Sequence, residues 1–178
     1  FKADDAQPTA TIISNGRGDG EEMGGSLNLF ALNLEEGRLV FHNNGVRVAC
    51  DGSFADNDWH HVAVAVNRTS GRGQIYVDGK LNTYFEAADL GGIAAAYIHL
   101  GARVWTPADN LQQETADNFF KGEIDEVRVW NLYKSETLVE NGNSNRLDGT
   151  EKGLLAYYPF ETYTEWQGVK ELQFSLMD

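Results

Sequence analysis

Short alternating runs of polar and apolar residues, separated by turn-forming pairs, constrain the fold of this chain most. Asn44-Gly45 lies between two such runs, and Asp78-Gly79 follows the run 74–77. These dipeptides favour a type I′ turn, because both central residues of that turn need positive φ. A longer glycine-containing segment, residues 69–73, predicts a third hairpin. The chain is therefore expected to fold as antiparallel hairpins.

The predicted strands recur along the whole chain and define an all-β protein. In the run 60–67 the valines occupy one face and the alanines the other, as in a two-layer sandwich. The small alanines indicate close packing on their face, as expected of a central strand. One short helix is predicted from Ser135, its N-cap, through Glu140. We expect strands at residues 9–14, 27–34, 38–42, 46–50, 60–67, 74–78, 81–86, 97–101, 122–130, 154–160 and 171–176.

The predicted strand 122–130 has an irregular apolar pattern. Ile124 is in one phase of the alternation, whereas Val127 and Val129 are in the other. Because side chains alternate with a period of two, the slip predicts an extra residue, most simply a bulge at Asp125 and Glu126. Carboxylates at a bulge leave the ordinary in/out pattern, so these two residues are candidates for a metal or polar site.

The charge balance narrows the possible partners. The chain has 27 acidic and 14 basic side chains, a formal charge of −13. This field repels phosphate backbones and anionic membrane surfaces, so we predict no nucleic-acid partner and no membrane insertion. The excess carboxylates either solvate the surface or hold Ca²⁺, which prefers oxygen ligands. Cys50 is the single cysteine, which excludes an internal disulfide.

A glycoside hydrolase is one interpretation of the strand 122–130. Jelly-roll glycosidases carry Glu-x-Asp-x-Glu on one strand, sometimes with one extra residue before the last Glu. A retaining mechanism needs two carboxylates about 5–5.5 Å apart. Glu123 and Asp125 match the pattern, but the last position is Val127, or Arg128 in the bulged register. The acid/base is missing, which argues against catalysis here.

Three segments resemble the laminin-G-like modules of the concanavalin A-like lectin/glucanase superfamily. The first is the hairpin DWHHVAV (58–64) with QIYVDGK (74–80); the others are FKGEIDEVRVWN (120–131) and GLLAYYPFE (153–161). The resemblance implies an antiparallel two-sheet jelly-roll sandwich over residues 1–161, in a branch common in large secreted bacterial proteins. It also implies that about two strands precede Phe1 in such modules, and that residues 162–178 are a closing strand or the start of another module.

The resemblance also implies a possible metal. Many relatives hold Ca²⁺ at the rim of the sandwich, which here points to Asp125 first and Glu126 second. The alternative is that Asp125 accepts a backbone N–H bond at the bulge and Glu126 pairs with Arg128 or solvent.

The stretch 102–118 is predicted to be a long loop, and such loops on a sandwich commonly bind ligands. Trp105 lies in it, and an exposed indole beside amides and carboxylates suits sugar recognition. The alternative is that Trp105 anchors its own loop. Trp59 and Trp130 are expected to pack in the core. The candidate ligand-binding residues are Trp105, Asp109, Asn110, Gln112 and Gln113.

These features predict a non-catalytic module of a larger secreted or cell-surface protein. Its expected partners are a glycan or glycoprotein and the other domains of the parent protein. A structural spacer that binds no small ligand is the second hypothesis, and a glycosidase is the third. Fold analogy alone does not separate them. Asn67-Arg68-Thr69 is a glycosylation sequon, which has meaning only in a eukaryotic secretory route.

Overall fold

The computed structural model describes residues 1–15, 30–43, 45–87, 98–105, 115–133, 139 and 146–160; for Trp105 it describes the backbone. Within these ranges the regular secondary structure consists almost entirely of β-strands. The predicted strand 171–176 lies outside them, as does most of the predicted helix 135–140. Val139 is helical and buried.

Five antiparallel strands form the larger sheet: β2 (Ala10–Asn15), β3 (Phe30–Glu35), β4 (Arg38–Asn43), β5 (Val46–Ala49) and β9 (Ile98–Leu100). Their order across the sheet is β5-β4-β3-β2-β9. The hairpin predicted at Asn44-Gly45 is confirmed: Asn43 pairs with Val46, and Gly45 has φ 82°. An unpredicted two-residue turn, Glu36-Gly37, joins β3 to β4 with positive φ at both residues.

Three strands form the second sheet: β6 (Val62–Asn67), β7 (Arg72–Val77) and β8 (Lys80–Glu86). The turn predicted at Asp78-Gly79 is confirmed, with φ 51° and 75°, as a type I′ turn requires. Among these three strands β7 is central and β6 lies beside it, so the expectation that β6 is a central strand is not confirmed within the described part of the chain. Close packing on its alanine face is confirmed, because Ala65 clusters with Tyr76 and Val139.

The core lies between these two sheets. Leu32, Leu34 and Phe41 of the larger sheet pack in one cluster with Ile75 and Phe85 of the smaller sheet. An added Cβ at Gly73 would overlap the Phe85 ring, so only glycine lets this ring lie across β7. Cys50 is fully buried, and this burial raises the pKa of its thiol to about 11. The sandwich is therefore closed by apolar contacts between two antiparallel sheets, as predicted.

The predicted continuous strand 122–130 is wrong in one respect. The chain forms two strands, β12 (Gly122–Glu123) and β13 (Val127–Trp130), with no strand at residues 124–126. The first pairs with β1 (Lys2–Ala3) and the second with β14 (Leu154–Tyr158). Glu126 has φ 54°, which turns the chain between the two. The phase slip thus marks a change of partner strand rather than a bulge.

The predicted loop 102–118 has paired strands at both ends. These are β10 (Arg103–Trp105) and β11 (Thr115–Asp117), which pair antiparallel. Arg103 donates to Asp117 from Nε to Oδ1 at 2.7 Å, which ties the two strands together. The loop prediction is therefore wrong for these six residues, and residues 106–114 lie outside the described ranges.

Candidate functional site

A shallow groove crosses the outer face of the smaller sheet. It encloses about 500 Å³, within the usual range for small-ligand sites. Its lining combines two aromatic rings with amide, hydroxyl and guanidinium groups. We call it the Tyr84 groove, and it is lined by Asn67, Ser70, Arg72, Gln74, Tyr84 and Tyr133.

Strand register places four of these side chains together. Gln74 of β7 lies opposite Tyr84 of β8, and Asn67 of β6 lies opposite Arg72 of β7. Directly paired residues share a face of a sheet, and residues two apart on one strand share it too. The opposite face of these strands carries Ile75 and Phe85, which belong to the core. Core packing therefore fixes the direction of the groove residues.

Tyr133 completes the groove from outside the sheet. Its hydroxyl donates to Gln74 Oε1 at 2.7 Å. The bond uses the acceptor of the Gln74 amide, and the Nε2 donors have no recorded partner among the described residues. The buried cluster of Ala65, Tyr76 and Val139 lies on the same face of the sheet. The small alanine at position 65 leaves room for this layer.

The aromatic rings of the groove are open to solvent. Tyr84 is 61% exposed and Tyr133 is 43% exposed. A tyrosine presents an apolar ring with a polar end, which suits a ligand that has both apolar and hydroxyl surfaces. Both rings border the same polar groove.

A turn with internal hydrogen bonds forms one end of the groove. Asn67 Oδ1 accepts bonds from the backbone N–H groups of Thr69 and Ser70, each at 3.1 Å. This Asx-type arrangement holds the β6–β7 connection in one conformation. The Ser70 side chain is therefore presented by an ordered turn.

Asp125 and Glu126, the predicted metal residues, lie where β12 ends and β13 begins. Asp125 Oδ1 accepts the N–H of Glu126 at 2.8 Å. Glu126 Oε2 accepts a bond from Arg128 Nη2 at 2.7 Å, and the Tyr157 hydroxyl lies 2.8 and 2.9 Å from the two Glu126 oxygens. The Arg128 guanidinium also lies 5.7 Å from the centre of the Tyr157 ring. We call these four residues the Glu126 junction.

The Glu126 junction does not match a preformed Ca²⁺ site. The Glu126 carboxylate already has two partners, whereas calcium takes six to eight oxygen ligands. In the part of the chain that the structure describes, no three His, Cys, Asp or Glu side chains are placed to hold a metal together. The calcium prediction stays a prediction, and the arrangement follows the alternative in which these carboxylates bond within the chain.

The structure also separates the two carboxylates of the glycosidase pattern, Glu123 and Asp125. Glu123 ends β12, is 60% exposed, and pairs with Lys2 Nζ at 3.1 Å. Asp125 lies beyond the end of that strand and bonds to the next backbone N–H. Two carboxylates on one regular strand would share a face, but the strand ends between these two.

The predicted sugar-binding residues lie mostly outside the described ranges. The Trp105 backbone ends β10, opposite Thr115. Its predicted companions Asp109, Asn110, Gln112 and Gln113 are not in the described part of the chain. That assignment stays a prediction. For Trp59, the expectation of core packing is wrong, because the side chain is 51% exposed beside a bridge to Lys2.

A second polar cluster surrounds His60. Its Nδ1 lies 2.9 Å from Asp78 Oδ2, and its Nε2 lies 3.0 Å from Asp56 Oδ1. Desolvation works against the charged form, but the two carboxylates prevail and raise the pKa of His60. His61 has the opposite shift: burial, with repulsion from Arg128, lowers its pKa. His60 and His61, although adjacent in the chain, therefore lie in two different environments.

The sequence matches a laminin-G family model over residues 1–139, within the group described as the concanavalin A-like lectin/glucanases superfamily. The chain belongs to this family. The comparison with curated proteins gave no match.

Solved structures with the same fold include carbohydrate-binding proteins. A candidate carbohydrate-binding protein from Bacteroides ovatus is 19% identical, with a TM-score of 0.69 over 94% of this chain and 45% of its own. The CBM40 of the Ruminococcus gnavus IT-sialidase is 13% identical, with a TM-score of 0.63 over 82% of this chain and 79% of its own. The same CBM40 was solved with α2,3-sialyllactose. This chain thus spans less than half of the Bacteroides protein.

No helix in the described ranges combines the length and apolarity that a membrane span requires.

The Tyr84 groove was not predicted from the sequence, although one part of it was visible there. The alternation in 81–86 already places Tyr84 and Phe85 on opposite faces, which was the available signal. The position of Tyr133 could not be read in this way, because it reaches Gln74 across 59 residues of chain.

Proposed function

We propose that this chain is a non-catalytic carbohydrate-binding or adhesion module whose ligand lies in the Tyr84 groove. The observation that carries the proposal is the pairing of two exposed tyrosine rings with amide and hydroxyl groups on one rigid sheet face. Pyranose rings present C–H faces that stack on aromatic rings, and hydroxyls that bond to amides. The groove offers both kinds of contact.

The comparisons support the same class of ligand. The Bacteroides ovatus protein is described as a candidate carbohydrate binder, and the Ruminococcus gnavus CBM40 was solved with a sialylated sugar. At this level of identity they support the fold, and the ligand is carried over to this chain as a proposal only. We also propose that the module belongs to a larger secreted or cell-surface protein, where a glycan or glycoprotein would be its partner.

Glycan binding by the folded chain, with and without Tyr84, tests the proposal. We expect Tyr84→Ala to weaken binding at least tenfold, because it removes the more exposed ring, while the melting temperature stays unchanged. Phe119→Ala is a matched control, since Phe119 is 62% exposed and does not line the groove. Equal losses from both variants would contradict the groove assignment.

The Trp105 assignment gives the same experiment a second arm. Trp105→Ala should leave binding intact if the ligand occupies the Tyr84 groove. Loss of binding in Trp105→Ala alone would move the site to the 105–113 region predicted from sequence. A folded protein that binds none of the glycans on an array would favour the spacer hypothesis.

A further inference from the structure

The Tyr84 groove contains an arginine that forms no ion pair within the described part of the chain. Arg72 is exposed, and its guanidinium has no recorded ion pair or hydrogen bond within the described residues. Other arginines in the structure are engaged: Arg47 donates to Glu35, Arg103 to Asp117 and Arg128 to Glu126. Arg72 differs from these three arginines because, among the described residues, no acceptor is bonded to its guanidinium.

We propose that Arg72 makes the groove selective for saccharides that carry a carboxylate. A guanidinium presents two parallel N–H donors that match a carboxylate, and such bonds are stronger than neutral ones. A neutral sugar would satisfy the tyrosines and amides but leave this fork bonded only to water. This inference rests on the proposed function, since it names the ligand class of the same groove.

The position of Arg72 allows all the contacts to form at once. It lies two residues from Gln74 on β7, opposite Asn67 on β6, so its side chain starts from the same face as the Gln74–Tyr84 pair. One sugar ring can stack on a tyrosine while its carboxylate reaches the guanidinium. The groove volume of about 500 Å³ is adequate for one or two sugar rings.

The overall charge of the chain opposes the approach of an acidic sugar. With a formal charge of −13, the chain repels anionic ligands at long range. Glu86 lies opposite Arg72 in the β7–β8 register and adds to that repulsion, although it forms no recorded ion pair with Arg72 among the described residues. Selectivity for an acidic sugar must therefore come from direct contact. Salt screens the repulsion, so it should weaken acidic-sugar binding less than it would for a basic protein.

Titration calorimetry with matched oligosaccharides tests this proposal. The two ligands have the same sugar sequence, one with a free carboxylate and the other with that group as its methyl ester. We expect the free acid to bind at least tenfold more tightly to the unmodified chain. In Arg72→Gln this preference should disappear, and in Arg72→Lys it should be partly kept, because an ammonium lacks the fork.

Arg68→Gln is the matched control. Arg68 is an exposed residue of the same β6–β7 connection but does not line the groove, so the substitution makes the same charge change. If Arg68→Gln and Arg72→Gln reduce the preference equally, the effect is one of net charge and the proposal fails. A sulfated sugar in place of the carboxylate shows whether the anion class is broader: equal binding would overturn selectivity for carboxylates.

The outcomes separate this inference from the proposed function. If Tyr84→Ala abolishes binding while Arg72→Gln changes nothing, the groove binds sugars and the acidic-sugar proposal is wrong. If Tyr84→Ala has no effect on either ligand, the groove assignment itself is wrong. If the acid and the ester bind equally to the unmodified chain, the proposal fails whatever the variants do.

Discussion

The Tyr84 groove and the Glu126 junction use the same kinds of side chains in opposite ways. Each contains an arginine and polar oxygen atoms, with one tyrosine ring in the junction and two in the groove. At the junction Glu126 bonds to both Arg128 and Tyr157, so the partners lie within the chain. In the groove Arg72 has no such partner among the described residues, and Tyr84 is 61% exposed.

The difference teaches where recognition can occur on this sandwich. A polar group that is already bonded within the protein has little to gain from a ligand, whereas one that bonds only to water can exchange it for a ligand atom. The sequence motifs indicated the Glu126 junction as a ligand site, because its two carboxylates are adjacent in the chain. The hydrogen bonds and ion pairs of the described residues instead favour the Tyr84 groove as the binding surface.

The largest effect that would sharpen this comparison is loss of the junction carboxylate. Arg128 is only 13% exposed, so Glu126→Ala should remove the ion pair of a largely buried charge and destabilise the fold by about 2–3 kcal/mol. Thermal or denaturant unfolding measures this change. Glu123→Ala is the control, since its exposed pair with Lys2 should contribute less than about 1 kcal/mol. Equal costs for the two variants would contradict the structural role of the junction.

Two tyrosine-to-phenylalanine variants would separate stability from binding. Tyr157→Phe removes the hydroxyl that bonds to Glu126, and we expect it to lower the free energy of unfolding by about 1 kcal/mol without affecting glycan affinity. Tyr133→Phe removes the hydroxyl that orients Gln74, and we expect it to weaken glycan binding by about threefold to tenfold. If both variants changed the unfolding free energy and the glycan affinity to the same extent, the distinction between a structural junction and a binding groove would be wrong.

The His60 cluster extends the comparison to pH. Asp78 and Asp56 raise the pKa of His60. The contribution of His60 to the free energy of unfolding is therefore fully present below the unfolded pKa near 6.5, and it is lost as pH rises through the folded pKa. The lowered pKa of His61 acts in the opposite direction, since its contribution is lost as pH falls below 6.5. In the unmodified chain the two histidines therefore have opposite effects on how the free energy of unfolding changes with pH, and these effects partly cancel.

A His60→Gln variant isolates the His60 contribution. The difference in unfolding free energy between the unmodified chain and this variant should be larger at pH 5 than at pH 8. Unfolding measured across that range checks it, with His61→Gln as the variant whose difference should change in the other direction. A difference that stayed constant with pH would show that folding does not shift the pKa of His60, contrary to the expected rise.

The smallest expected effect concerns calcium. Because Glu126 is already bonded to Arg128 and Tyr157, we expect the melting temperature in excess calcium and in chelator to agree within about 2 °C, less than a change of 1 kcal/mol would cause. A larger rise in calcium, lost in Asp125→Asn, would place the metal where the family resemblance puts it. It would also mean that the junction rearranges on binding.

Local signals in the sequence predicted much of the fold. The turns at Asn44-Gly45 and Asp78-Gly79 were predictable because positive φ is a property of the turn residues themselves. The change of partner strand at Ile124–Glu126 was visible as a phase slip, but its form was not, since β1 and β14 are remote in sequence. The bridge between Trp59 and Lys2 likewise joins residues that are remote in sequence.

The candidate site was less predictable than the fold. Register places Asn67, Arg72, Gln74 and Tyr84 on one face, and alternation alone indicates this once the hairpins are known. Whether that face would be covered or open was not encoded locally. Tyr133 and Val139 cover part of it from a distant segment, and the open remainder is the groove.

The pairing of β1 with β12 has a consequence for how the molecule folds. Lys2 lies opposite Glu123, so this ladder joins residues 121 positions apart in the chain. Sequence-distant pairings slow folding, because a long loop must close before its contacts stabilise the structure. During synthesis, β1 must wait for residue 123 to leave the ribosome. Until then Phe1 and Ala3, both buried in the finished core, lack the β12 side of their surroundings.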